Sequence, residues 1–182
     1  VIFPHECREA FYNRNFTIKN VWYIENVPDI DVNYHRDVKK NSEDSIITIG
    51  YFGTLDRNTR GIEWLIDCVK SEPNRLSLLI GGGGALEREL KFMKFSNISF
   101  VGKFSHSDLA NYLNEVDFYW SYYSPDVFLH KFAIPNKFYE HLAYGVPIIV
   151  SSIIPQTRDI EILGSGVIID SLDDLTFNEF VK

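Results

Sequence analysis

Ile46-Ile47-Thr48-Ile49-Gly50-Tyr51-Phe52-Gly53 is a short apolar, β-branched and aromatic run that stops at a glycine. Nine residues on, Ile62, Leu65, Ile66 and Val69 recur at i, i+3, i+4 and i+7. The first pattern is that of a buried strand and the second that of a helix with one apolar face. Strand, glycine loop and helix together make the opening of a βαβ unit, and the pattern repeats downstream. Further strands are expected at 76–80, 98–101, 117–121, 147–151 and 166–169, and a second striped helix carries Leu109, Tyr112, Leu113 and Val116. Nearly continuous apolar strands are those covered on both faces. The expected fold is therefore α/β, a doubly wound and mainly parallel sheet.

The helix signals agree with this register. Ser105 or Ser107 can cap the second helix, with Asp108 in its first turn, where a carboxylate complements the dipole. Asn136 can cap a third helix that Gly145 ends before the strand at 147–151. Residues 1–44 differ from the rest. A helix is expected after Pro4, a strand at 21–24, and a linker loop across the polar stretch 33–44. The expected division is a linker region at 1–44 and a ligand-binding domain at 45–182. Both ends read as cuts, since the chain opens at Val1 and stops at Lys182, at the end of a helical pattern over 173–180.

Composition narrows the function. The 182 residues carry a net charge of −7, which disfavours general nucleic-acid binding, so no nucleic-acid partner is expected. No apolar run reaches the length of a membrane span and no signal peptide is visible, so a cytoplasmic location is expected. Cys7 and Cys68 form no metal or redox motif. Asp29-Ile30-Asp31 spells a pattern that can hold a divalent ion, but it lies in the linker region, and the five histidines show no ligand spacing. No metal and no cofactor are expected.

In a parallel sheet, ligands gather at the carboxyl ends of the strands. Three such segments carry chemistry. In Gly53 to Gly61 the glycine permits close backbone approach, and helix N–H groups with Arg60 can hold phosphate oxygens; a plain turn with a solvated arginine fits equally. Gly81-Gly82-Gly83-Gly84 follows another strand and is either a tight turn or a surface that a ligand approaches. In Pro135-Asn136-Lys137-Phe138-Tyr139-Glu140-His141-Leu142-Ala143-Tyr144-Gly145-Val146-Pro147, helical spacing puts Lys137, Glu140, His141 and Tyr144 within about a 100° arc. A carboxylate there suits a vicinal diol and the lysine a phosphate. An i, i+3 surface ion pair is the competing explanation. The aromatics Phe118, Tyr119, Trp120, Tyr122 and Tyr123 read as core more readily than as a sugar platform.

Taken together, the three segments resemble the C-terminal domain of GT-B glycosyltransferases, family 4 (glycosyl transferases group 1) above all. The segment from Pro135 to Ile149 is similar to that family's Pro-x-Lys-x-x-Glu-x-x-Ala-x-Gly-x-Pro pattern. Ile80 to Gly83 is similar to its Val-Gly-Asp-Gly turn, and the strand ending at Gly102 to its Phe-x-Gly strand. Val21 to Asp29 looks like the segment that enters this domain. The resemblance implies a Rossmann-like half of a GT-B fold that binds a nucleotide diphosphate sugar. Arg60 and Lys137 would stabilise the leaving diphosphate. Gly53, Thr54, Gly81, Gly83, Lys103, Phe104, Pro135, Asn136 and Glu140 would line the donor site, with Glu140 on the ribose and Lys103 and Phe104 near the base. It further implies a retaining hexosyltransferase of surface-polysaccharide or glycolipid synthesis. Its partner would be an N-terminal acceptor-binding domain that this chain lacks, and the full-length protein would sit peripherally at the inner membrane face. Two departures stand out: the family's first glutamate of a Glu-x7-Glu pair falls on Phe132, and Thr54 and Arg60 stand where arginine and lysine are common. The alternatives are an epimerase of nucleotide sugars, built on the same architecture, and a non-catalytic flavodoxin-like binding module.

Overall fold

The computed structural model describes residues 1–29, 34–36 and 45–172. Its centre is a six-stranded sheet of β3 (Ile47–Phe52), β4 (Leu76–Gly81), β5 (Ile98–Gly102), β6 (Phe118–Ser121), β7 (Ile148–Ser151) and β8 (Gly166–Ile169), all neighbours parallel. The order β5-β4-β3-β6-β7-β8 is that of a Rossmann-like sheet, which starts in the middle and winds outward both ways. Each expected strand is present, with bounds shifted by a residue at most.

Side chains alternate between the two faces, as the period of two requires. Ile49, Tyr51, Leu78, Ile80, Trp120 and Ile149 meet α2 (Ile62–Ser71) and α3 (Glu87–Phe92) on one side. Phe52, Leu79, Tyr119, Ile148 and Val150 meet α4 (Leu109–Asn114), α5 (Asn136–Tyr144) and α6 (Thr157–Leu163) on the other. The stripe Ile62, Leu65, Ile66 and Val69 is buried along α2 as its spacing predicts. Burying such a leucine or isoleucine contributes about 1.5–3 kcal/mol.

Ahead of α4, Ser105 and Asp108 form a reciprocal capping box around a single 3-10 turn, His106–Asp108. Asn136 does not cap α5. Pro135, extended at φ −71° and ψ 135°, precedes the first helical residue, which is Asn136 itself, and the asparagine side chain accepts a hydrogen bond from Asn26. Gly145 ends α5 at φ 64°, a conformation that favours glycine.

The N-terminal segment forms its own small unit, β1 (Ile2–Phe3) and β2 (Trp22–Tyr23) paired in parallel and joined through α1 (Glu6–Tyr12). The expected strand at 21–24 is thus shorter, and its partner β1 is too brief to show any periodicity in sequence. Ile2, Trp22, Tyr23 and Ile24 are exposed there. Most of the expected linker, two residues of Asp29-Ile30-Asp31 and the pattern at 173–180 lie outside the described residues. Among the described residues no helix is long and apolar enough to cross a membrane.

Candidate functional site

The sheet's winding reverses between β3 and β6, so their following loops diverge to opposite faces and leave a crevice at the carboxyl edge. A cleft of about 390 Å³ occupies that position, lined from the β3 loop by Gly53, Thr54 and Arg60, from β6 by Tyr119 and Ser121, from the loop after β6 by Tyr123, and from α5 by Asn136, Lys137 and Glu140.

Lys137 and Glu140 stand one turn apart on α5, yet among the described residues they form no ion pair with each other. Both instead turn inward to one hydroxyl. Tyr119 donates to Glu140 Oε2 at 2.8 Å, and Lys137 Nζ donates to the Tyr119 hydroxyl at 3.2 Å and to the Phe52 carbonyl. The ammonium also lies 5.0 Å from the centre of the Tyr51 ring and 4.9 Å from that of Tyr119. Lys137 is therefore not the solvent-facing side chain that a surface helix position suggests. Burial lowers its pKa to about 8, Glu140 opposing that shift and Arg60 adding to it. Burial, and then the Glu140 charge, raise the Tyr119 hydroxyl well above its ordinary range, so it remains a donor. Gly53 makes the approach possible: a Cβ there would meet Lys137 Nζ at 2.9 Å.

The polar arc of α5 thus divides. Lys137 and Glu140 enter the cleft. His141 is buried behind it, its pKa lowered to about 4 by burial, with Ser165 Oγ 3.5 Å away, and Tyr144 packs on Tyr34.

On the opposite wall Arg60 lies with its guanidinium 4.0 Å from the centre of the Tyr123 ring. Trp120 Nε1 donates to the Arg60 carbonyl at 2.8 Å, and Arg60 Nη1 is 3.3 Å from His130 Nε2. Among the described residues Arg60 enters no ion pair. The cleft therefore presents two cations, one desolvated and one without a counter-ion, beside a buried carboxylate. That set can hold a dianion next to a polyol.

Of the residues expected to form a donor site, Gly53, Thr54, Arg60, Phe104, Pro135, Asn136, Lys137 and Glu140 line this one cleft. Gly81, Gly83 and Lys103 do not. The four-glycine run serves the protein backbone instead. Gly53 N–H donates to Gly81 O at 3.0 Å and Leu55 N–H to Gly83 O at 3.1 Å, while a Cβ on Gly82 would lie 1.8 Å from Gly53 O. The run carries the β3–β4 pairing past the strand ends. Lys103 lies along Gly83 and points to Glu87, 4.0 Å away. Phe132 sits outside the cleft, packed on Phe11 of α1.

Sequence reasoning missed Tyr119, Tyr123 and His130. The first two are core residues as expected, but each also shows the cleft a hydroxyl or a ring face. Their spacing of two, from β6 into the loop after it, was a usable signal, since Tyr119, Ser121 and Tyr123 all line the cleft. Nothing local marks His130, which lies in a 3-10 turn, Phe128–Phe132. Among the described residues no group of three or more His, Cys, Asp or Glu side chains is placed to hold a metal ion.

Residues 46–178 match the family model described as glycosyl transferases group 1. No curated protein sequence matches. Solved structures that share the fold include two glycosyltransferase-related chains. One is HepE of Anabaena, solved in complex with UDP and glucose, at 14% identity and a TM-score of 0.65 over 99% of this chain and 51% of that one. The other is WaaG, a glycosyltransferase involved in lipopolysaccharide biosynthesis, at 15% identity and a TM-score of 0.52 over 68% of this chain and 33% of that one. The chain spans about half or less of the length of either. A flavodoxin-like module is set aside by the family match.

Proposed function

The chain belongs to the group 1 glycosyl transferases, and we propose on that footing that it is the donor-binding half of a retaining hexosyltransferase that uses a nucleotide diphosphate sugar. The observation that carries this reading is the meeting of Lys137, Tyr119 and Glu140 under the crevice, with Arg60 on its far wall. Glu140 accepts hydrogen bonds from the ribose hydroxyls. Lys137 and Arg60 hold the diphosphate. As the bond from the sugar's anomeric carbon to the diphosphate oxygen breaks, its electron pair goes to that oxygen, and fixed cations in a partly dry cleft stabilise the growing charge. In this reading no metal is needed. HepE, which shares the fold, was crystallised with UDP and glucose, which supports a nucleotide diphosphate and a hexose as the donor's parts.

The acceptor is a glycan or a lipid-linked glycan of surface-polysaccharide synthesis, bound by an N-terminal domain of the full-length protein, and we place the enzyme in the cytoplasm at the inner membrane face. The exposed apolar side of β1 and β2 supports a second domain beside it, because a two-stranded parallel pair is not stable uncovered.

A thermal-shift panel of UDP, GDP, ADP and dTDP, with and without magnesium, tests the reading. One ribonucleotide should stabilise the chain without needing the metal. Glu140→Gln should weaken its binding by about 1.5–3 kcal/mol. Equal binding of the matching 2′-deoxynucleotide would remove Glu140 from the ribose.

A further inference from the structure

We infer that His130 is a positioning residue, a neutral imidazole whose Nε2 lone pair holds Arg60 aimed into the cleft. The inference rests on the reading of Arg60 as a diphosphate ligand.

The tautomer follows from the partners. His130 Nδ1 lies 2.7 Å from the Ser124 carbonyl, which can only accept, so Nδ1 carries the proton. Nε2 is then unprotonated and faces Arg60 Nη1, which can only donate, at 3.3 Å. The reverse tautomer would set two acceptors together at one nitrogen and two donors at the other. A charged ring would place two cations in contact. His130 is 8% exposed, and burial lowers its pKa, the Ser124 hydrogen bond opposing that shift and Arg60 adding to it, so the ring stays neutral at neutral pH.

Arg60 is held at two further points, and its neighbour Thr59 at a third. The Tyr123 ring lies under the guanidinium, Trp120 Nε1 donates to the Arg60 carbonyl, and Ser124 N–H donates to the Thr59 carbonyl at 3.0 Å. Every one of these groups is uncharged, so the cage fixes direction without neutralising the charge. Tyr123 also packs edge-on against His130, centroids 5.0 Å apart, which keeps the imidazole from rotating. A long cationic side chain otherwise loses considerable rotamer freedom when it binds an anion, and prior positioning lowers that cost. His130 is the only side chain of the cage that accepts from the guanidinium tip among the described residues.

The test uses the 182-residue chain. Its first arm needs no ligand: ¹⁵N correlation spectra at pH 7 should show the His130 proton on Nδ1, and a proton on Nε2 overturns the inference. In the second arm, affinities for UDP, GDP, ADP and dTDP are each compared with that for the parent nucleoside. His130→Phe keeps a ring against Tyr123 but has no acceptor. It should cut the preference for diphosphate over nucleoside by about three- to tenfold, leave nucleoside affinity unchanged, and have no further effect in an Arg60→Met background. His130→Gln, which restores an acceptor, should recover at least about half of the loss. Independent effects of the two substitutions, or loss of nucleoside affinity as well, would show a merely structural histidine and sink the proposal. If Arg60→Met leaves the diphosphate preference intact, the phosphate role of Arg60 falls, while the spectra still decide whether His130 holds it.

Discussion

Tyr119 shows how much a single buried hydroxyl can decide. It stands between a lysine and a glutamate that would otherwise be near enough on α5 to pair, and it keeps both turned to the cleft. Tyr119→Phe preserves the ring in the core and removes the bridge. Nucleoside diphosphate affinity should fall about five- to tenfold while folding stability drops by only about 1 kcal/mol; calorimetry and chemical denaturation of the same variant check both, and unchanged affinity would assign Tyr119 to packing alone. Lys137 sets a pH dependence. In the free chain burial lowers its pKa to about 8, and a bound diphosphate favours the charged form. Affinity should therefore be level below that pH and fall above it, by up to about tenfold per unit until the pKa of the complex is reached. Lys137→Met should bind more weakly at pH 7 and lose this slope. Neither Tyr119 nor the depressed lysine was legible in the sequence, because burial of Lys137 depends on Gly53 and Phe52, which reach it only through the sheet.

At the scale of elements the sequence was far more informative. Six strands and the α2 stripe follow from apolar periodicity, because a buried parallel strand tolerates few polar residues and therefore announces itself. The segments that escaped detection are short ones whose stability comes from elsewhere: β1, two residues long, and the 3-10 turn that carries His130. The glycine run was legible as a turn or a ligand surface, but its crossing contact with Gly53 depends on the neighbouring strand and was not. That contact makes a paired prediction. Gly82 sits at φ 140° with no room for a Cβ, whereas Gly102 sits at φ 76° with nothing within 4 Å. Gly82→Ala should cost about 3 kcal/mol or more and Gly102→Ala only about 1 kcal/mol, the latter from backbone strain alone. Urea denaturation of the two variants separates a steric clash from mere strain, and equal costs would contradict the contact.

The whole molecule carries a net charge of −7 yet gathers Arg60 and Lys137 into one crevice. Sequence placed each residue beside a helix start on the carboxyl edge of the sheet, and the strand order makes β3 and β6, which lead to those helices, neighbours. The chain spans 51% of the HepE chain that shares its fold, and under the proposed function half of the reaction site is supplied by another domain. The 182-residue chain should thus bind a nucleoside diphosphate and transfer no sugar. Turnover with any glycan or lipid acceptor, followed by release of nucleoside diphosphate, would contradict this. The close crossing of Gly53 and Gly82 bears finally on ancestry. Gly82 cannot accept a side chain while the Gly53 loop stays in place, whereas a Cβ on Gly53 would meet the Lys137 ammonium. Single substitutions at Gly82 are therefore closed to drift unless the Gly53 loop shifts with them, while Thr54, exposed on that loop, meets no such bar and can vary one step at a time.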